Sequence, residues 1–172
     1  MVRMAEGGLW LSSADLGDTI EDPDIRHLFE YWKAAAAGRS APRRDEIDPP
    51  IDLPTYLPTT LMFDVERETE GSLQFRYRLM GTQLVDFAGR ELKGLTIQEA
   101  FGAEFAAQDI AIYRQVVDTC SCYIGERISM IESRQMFEWY RRVVMPVLGD
   151  ESGRVDRIWT WITYKDVSPV TG

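Results

Sequence analysis

The chain carries few of the side chains that usually perform covalent or metal chemistry. Its 172 residues include one histidine, His27, and two cysteines, Cys120 and Cys122. A Ser-His-Asp or Cys-His device requires the histidine to lie beside a nucleophile, and nothing in the spacing of these residues supports that. The cysteines are separated by one residue, which suits neither a disulfide framework nor a four-ligand zinc site. We therefore expect an exposed His27, reduced cysteines, no catalytic residues and no metal site.

Acidic and basic side chains offer two other kinds of chemistry. Asp86, Glu91 and Glu99 lie in a glycine-interrupted stretch, where a buried carboxylate could act as a general base. We interpret them instead as helix caps or solvated residues. Arg141 shares the apolar parity of its predicted strand with Trp139. A guanidinium held there could bind a ligand carboxylate through two parallel hydrogen bonds, or pair with an acid of the core, and both interpretations stay open.

The composition is typical of one folded domain. Hydrophobic residues make up 45% and charged residues 27% of the chain. The net charge of -9 disfavours a nucleic acid or an anionic membrane as the main partner. No apolar run approaches the roughly 18 residues that span a bilayer, and residues 1–24 lack the apolar stretch of a signal peptide. We expect a cytoplasmic protein.

The N-terminal third predicts a leader, a helix and a bent connector. Residues 1–22 have no sustained periodicity and are expected to be flexible. Asp22 is a plausible N-cap and Pro23 suits the first helical position, so a helix is predicted to begin there and to end at Gly38. The connector that follows contains five of the eight prolines. Apolar residues at helical spacing give the helix one strongly apolar face, formed by Ile25, Leu28, Phe29 and Trp32.

The rest of the chain predicts two strands, a helical excursion and three more strands. A hairpin is predicted from the alternation in "TTLMFDV" and "LQFRYRLM". Residues 81–120 carry a helical pattern broken by glycines, and three strand-like runs follow at 122–131, 136–148 and 155–164. This order indicates an α+β fold with a five-stranded antiparallel sheet, whose helices cover one face and enclose a cavity, and an additional N-terminal helix.

The shared parity of the strands and the apolar face of the longest helix predict the walls of that cavity. We expect it between the sheet and the helices of residues 81–120. The predicted ligand-binding residues are Tyr77, Leu79, Phe87, Phe101, Ile110, Tyr113, Val117, Ile128, Met130, Trp139 and Arg141.

Four stretches in this order resemble a PAS domain, and more narrowly a bacterial stand-alone PAS-like family. They are "LFEYWKAAAAG", "APRRDEIDP", "FRYRLMGTQLVDFAGRELKGLT" and "YRRVVMPVLGDESGRVDRI". On this resemblance the chain divides into a flexible leader (1–22), an N-terminal helix and Pro-rich connector (23–57), a PAS-like core (58–166) and a C-terminal tail (167–172). The resemblance implies a module of sensory signal transduction that binds a small molecule or mediates protein association, without catalysis.

The resemblance also permits a test of known PAS cofactors. Haem-binding members usually supply an axial histidine from the long helix, and the corresponding residues 104–120 contain none, which disfavours haem. Photoactive flavin members use a cysteine in the helices after the second strand. The stretch "GTQLVDFAGRELKG" has no cysteine, which disfavours cysteinyl-flavin photochemistry but leaves non-covalent flavin open. The identity of any cofactor is therefore unknown.

The sequence is also compatible with two other functions, and it predicts one assembly state. The chain could be an interaction adaptor whose cavity is filled by its own side chains. It could instead be a cone-shaped α+β enzyme or binding protein of the ketosteroid-isomerase type, although such folds usually place their main helices before most strands. The apolar face of the N-terminal helix needs a cover. We predict that it covers the outer face of the sheet, its own or a twofold partner's, and that the protein is a homodimer assembled there.

Overall fold

The computed structural model describes residues 8–131, 136–150 and 153–164, so the predicted tail and the first part of the predicted leader lie outside the described residues. The helices are α1 (Pro23–Ala36), α2 (Pro49–Asp52), α3 (Thr82–Ala88), α4 (Ile97–Phe101) and α5 (Ala103–Thr119). The strands are β1 (Leu9–Leu11), β2 (Thr60–Arg67), β3 (Leu73–Met80), β4 (Cys122–Ile131), β5 (Met136–Leu148) and β6 (Val155–Tyr164).

The described strands form one antiparallel sheet in the order β1-β4-β5-β6-β2-β3. The predicted α+β fold is confirmed, with one difference: the sheet has six strands rather than five. The additional strand, β1, lies in the segment that we expected to be a flexible leader. Leu9–Leu11 pairs with β4, and the Leu11 side chain is buried. Pairing with a sheet edge thus orders a segment whose own sequence has no strand periodicity.

Local sequence chemistry explains where α1 begins and ends. The Asp22 carboxylate accepts hydrogen bonds from the backbone N–H groups of Asp24, at 2.9 Å, and Ile25, at 3.0 Å, so it is the predicted N-cap. Pro23 occupies the first helical position, where its missing N–H costs nothing. The helix ends at Ala36, and Ala37 rather than Gly38 is the first residue in the left-handed region, with φ 50°.

Helix α1 covers one face of its own sheet, which we call the outer face. Ile25, Leu28, Phe29 and Trp32 are all fully buried. The Trp32 indole N–H donates a 2.8 Å hydrogen bond to the backbone carbonyl of Pro146 in β5. The prediction that this helix covers the outer face is confirmed. Since the cover comes from the same chain, the apolar face of α1 no longer supports a homodimer at that face.

Helices α3, α4 and α5 pack on the opposite, inner face of the sheet. The Tyr113 ring of α5 contacts Phe63 of β2, with ring centroids 5.0 Å apart, and Phe75 of β3, at 5.5 Å. Gly81 turns the chain from β3 into α3. A Cβ at Gly81 would lie 2.3 Å from the carbonyl oxygens of Leu57 and Pro58, so only glycine fits this close backbone passage.

The two arginines of β3 are explained by their partners on β2. Arg76 Nε lies 2.7 Å from Glu66 Oε1, and Arg78 Nη1 lies 3.4 Å from Asp64 Oδ2. The edge of β3 is also covered, because Tyr77 exchanges backbone hydrogen bonds of 2.9 and 2.8 Å with Leu95 and Gly94. The ion pairs stabilise the β2–β3 pair, and the cover leaves fewer free backbone groups at the middle of this edge.

Candidate functional site

An inner cavity of about 100 Å³ lies between the inner face of the sheet and helices α3, α4 and α5. The strands supply its floor and the helices its roof. Apolar groups from both layers form most of its wall: Leu61, Met80, Leu84, Phe87, Ala88, Leu92, Ile97, Phe101, Phe105 and Ile162. The polar and charged residues of the wall are Tyr77, Asp109, Tyr113, Arg127, Tyr140, Arg142 and Tyr164.

Three of these residues form a charged cluster that joins α5 to the sheet. Asp109 lies on α5, Arg127 on β4 and Arg142 on β5. Arg142 Nη1 donates a 2.7 Å hydrogen bond to Asp109 Oδ1, and Arg127 Nη1 forms an ion pair with the same oxygen. Arg127 Nη2 also donates to the backbone carbonyl of Phe105, at 3.3 Å. The two guanidinium groups therefore share a single carboxylate, and the cluster retains one positive charge.

Burial makes this arrangement unusual for charged side chains. Arg142 is only 3% exposed, and the side chains of Arg127 and Asp109 are 9% and 17% exposed. Burial lowers the pKa of Arg142, but the Asp109 carboxylate outweighs it and the net effect raises that pKa, so Arg142 stays charged. Arg142 Nε is buried and has no hydrogen-bond partner among the described residues. It is one of several such atoms among the described residues, and it belongs to a residue of the cavity wall, where a ligand could reach it.

Tyrosines surround the charged cluster and remain neutral. Burial is the main cause that raises the pKa of Tyr77, Tyr113 and Tyr140 above its ordinary value, and the nearby Asp109 charge raises all three further. Arg142 counteracts this effect at Tyr113, whose ring lies 5.7 Å from the guanidinium carbon. At neutral pH each phenol therefore keeps its proton and can donate a hydrogen bond.

Residues 20–158 match the family model of the PAS domain. The chain belongs to the PAS domain family. PAS domains are in general non-catalytic sensory modules, and the matched range includes α1, strands β2 to β5, the start of β6 and the inner helices.

Solved structures and curated proteins add little to this assignment. A point variant of RsLOV shares 11% identity over 65% of this chain and 62% of its own, with a TM-score of 0.45. An RNA-binding light-oxygen-voltage receptor shares 12% over 72% of this chain and 35% of its own, also at 0.45. The PAS domain of a protein from Colwellia psychrerythraea shares 10% over 69% and 98%, at 0.40. TM-scores this low carry no weight, and no curated protein matches.

Four of the predicted ligand-binding residues line the inner cavity of this PAS domain. Tyr77 reaches it from β3, Phe87 from α3, Phe101 from α4 and Tyr113 from α5. Phe101 is also 40% exposed, so it lies between the cavity and solvent. The structure brings these side chains together, while their role in binding remains a prediction.

Three other predicted residues pack elsewhere in the core. Ile110 and Val117 lie on α5 beside the residues that line the cavity, and both are half-buried. Leu79 is displaced by a β-bulge, because Met62 pairs with Leu79 while Phe63 pairs with Tyr77. Arg78 is the extra residue, and it reverses the alternation so that Met80 rather than Leu79 lines the cavity.

The β5 residues predicted to face the cavity lie on the other face of the sheet. Trp139 is 42% exposed. Arg141 borders an open groove on the outer face and pairs with Glu126, at 3.0 Å, and Asp22, at 3.6 Å. The prediction assigned the wrong set of alternating β5 side chains to the inner face, since Tyr140 and Arg142 line the cavity. Ile128 and Met130 belong to β4, and their side chains lie outside the described part of the chain.

The main residues that the sequence prediction missed are those of the charged cluster. Arg127 and Arg142 each follow another charged residue, Glu126 and Arg141, so the alternation along these strands could not show which charge faces the cavity. One signal was present in α5. Asp109 precedes Tyr113 by four residues, which places a carboxylate on the buried face of the helix. A buried carboxylate requires a cationic partner from the sheet beneath it.

The other reactive side chains lie away from the cavity. His27 is exposed, as predicted, and its ring stacks on Tyr56 at 5.9 Å. Burial raises the pKa of Cys120 and of Cys122, so both remain thiols. Asp86 and Glu91 are exposed, and Glu99 forms a capping box with Thr96. Within the described residues no group of acidic, histidine and cysteine side chains could hold a metal ion, and no helix is long and apolar enough to cross a membrane.

Proposed function

We propose that this PAS domain is a cytoplasmic sensory module whose inner cavity binds a small molecule, and that it passes the signal on by protein association, without catalysis. The observation that carries the proposal is Arg142. Its side chain is buried in the wall of the inner cavity, and its Nε has no hydrogen-bond partner among the described residues. A ligand that accepts a hydrogen bond at this point would remove the cost of that unsatisfied donor.

The chemistry of the wall supports binding rather than catalysis. Asp109, the one carboxylate among the lining residues, is already engaged by two guanidinium groups. The raised pKa values of Tyr77, Tyr113 and Tyr140 leave these phenols protonated, so none is a base at neutral pH. Cys120 and Cys122 are not among the residues that line the cavity.

The size of the cavity argues against a large cofactor. Sites for drug-sized ligands have volumes of about 300–1,000 Å³, whereas the inner cavity has about 100 Å³. Haem and flavin are at least drug-sized, so the described side chains would have to move apart to admit either one. The wall therefore fits neither group as it stands.

Phe101 and Phe105 connect the cavity to the protein surface. Both side chains line the cavity, both are partly exposed, at 40% and 47%, and their ring centroids are 5.7 Å apart. A ligand that fills the cavity would press on these rings from inside. We propose that this α4–α5 surface is where occupancy becomes visible to a protein partner. The homodimer stays a prediction, without support from the covered face of α1.

Native mass spectrometry of freshly purified protein tests the proposed function. The mass under native conditions should exceed the denatured mass by that of a small molecule. A matched variant, Ala88→Leu, places extra carbon atoms at the cavity wall and should lose the additional mass while keeping the fold by circular dichroism. A small molecule that is retained equally by the variant would contradict binding in the inner cavity.

A further inference from the structure

We propose that the ligand of the inner cavity is a small monocarboxylate with a short apolar tail, and that Arg142 and Arg127 hold its carboxylate. The proposal rests on the proposed function and names the class of ligand. Its basis is the charged cluster, in which two buried guanidinium groups face one carboxylate.

The charge balance favours an anion. Asp109, Arg127 and Arg142 are the charged residues among those that line the cavity, and together they leave one positive charge in a largely buried place. An uncompensated charge removed from water is costly unless a counter-charge is present. Tyr77, Tyr113 and Tyr140 do not supply this counter-charge, because burial raises the pKa of each phenol and keeps it neutral. A bound anion would neutralise the cluster.

The donors favour a carboxylate among anions. Arg142 Nε is buried without a partner, and a guanidinium offers parallel N–H groups that match the two oxygens of a carboxylate. The hydroxyls of neighbouring tyrosines add neutral donors. The remaining wall is apolar, with Leu84, Phe87 and Ile162 among its members. A phosphate would turn unpaired oxygens toward that wall, whereas the tail of a carboxylic acid would bury methylene groups there.

The volume limits the length of the tail. A cavity of about 150 Å³ holds benzene, and one water occupies about 30 Å³ of liquid. The inner cavity, with about 100 Å³, therefore suits a ligand of about three to four non-hydrogen atoms, a rough limit set by those two volumes. Propionate, butyrate and isobutyrate lie just above this limit.

Isothermal titration of the full chain with butyrate, and with the neutral and nearly isosteric butyramide, tests the proposal. Butyrate should bind at least about tenfold more tightly, because only it forms charge-assisted hydrogen bonds with the arginines. Equal binding of the two would overturn the carboxylate while leaving the cavity function intact. If native mass spectrometry shows a different retained molecule and none of the three acids binds, the carboxylate inference also fails, independently of the proposed function.

Variants of the cluster give a second readout. Arg142→Gln and Arg127→Gln should each weaken butyrate binding about tenfold or more. Arg141→Gln is the matched control, since it removes the same charge from the same strand on the outer face, and should leave the affinity unchanged. Asp109→Asn removes the competing carboxylate and should tighten binding, an effect that a purely structural ion pair would not produce. Weaker butyrate binding in Asp109→Asn, or an equal loss in Arg141→Gln, would refute the assignment even if Arg142→Gln does not fold.

Discussion

The substitution Trp32→Phe tests how α1 is held on the outer face. Trp32 is fully buried, and its indole N–H donates to the carbonyl of Pro146. Pro146 lies beyond Val144, the last β5 residue that pairs with β4, so the indole supplies a donor where that neighbouring strand has ended. Phenylalanine keeps the aromatic ring but removes this donor, which makes the substitution a test of the hydrogen bond as well as of packing.

Two costs determine how far Trp32→Phe should lower the free energy of unfolding. Leaving the buried carbonyl unsatisfied costs about 1–3 kcal/mol, and the void left by the smaller ring adds about 1 kcal/mol. We expect the free energy of unfolding to fall by about 3 kcal/mol in total. For a chain of this length the melting temperature should then drop by roughly 6–12 °C.

Denaturant unfolding followed by circular dichroism measures this change. Trp139→Phe is the matched control, because Trp139 is 42% exposed, and a surface substitution changes stability by about 0.5 kcal/mol or less. If Trp32→Phe costs no more than this control, α1 is not anchored by Trp32 and the account of the outer face is wrong.

Three further predictions concern the turn, the tyrosines and the assembly. Gly81→Ala should destabilise the fold by about 2 kcal/mol or more, since its Cβ would meet two backbone carbonyls at 2.3 Å; unchanged denaturant unfolding would contradict this passage. The raised pKa values of Tyr77, Tyr113 and Tyr140 should make the free energy of unfolding depend on pH: the contribution is fully present below the ordinary pKa of 10.0 and is lost as the pH rises above it. Phenolate absorbance that appears equally in folded and unfolded protein at pH 11, about one unit above the ordinary value, would refute this. The predicted homodimer requires twice the 19.7 kDa chain mass by light scattering, and a mass of 19.7 kDa would exclude it at that concentration.

Local chemistry made most of the fold predictable from the sequence. The N-cap Asp22 and Pro23 marked the start of α1, and the apolar spacing of Ile25, Leu28 and Trp32 identified its buried face. Alternation in β2 and β3 indicated a hairpin, and the five long strands have the predicted ranges or nearly so. Strand β1 was missed because its order depends on pairing with β4, which is more than a hundred residues away.

The candidate site was only partly predictable, because strand parity fails where both faces of a strand are apolar. One face of β5 carries Trp139 and Arg141, and the other carries Tyr140 and Arg142, so each face has one aromatic residue and one arginine. Only packing against α5 shows which of the two faces lines the cavity. In β3 the bulge at Arg78 reverses the alternation without a signal in the sequence. Tyr77 was placed correctly at the cavity wall because it precedes the bulge, and Tyr113 because helical spacing is insensitive to such reversals.

Backbone amide shifts of the nitrogen-15-labelled full chain, recorded while butyrate is added, test the central claim that the inner cavity is the ligand site. If butyrate binds in the inner cavity, saturable shifts should be largest at Tyr77, Asp109, Tyr113 and Arg142, with little change around Trp32 on the outer face. Shifts concentrated at the outer groove near Arg141, or no saturable shifts from butyrate or from any molecule that the purified protein retains, would contradict it.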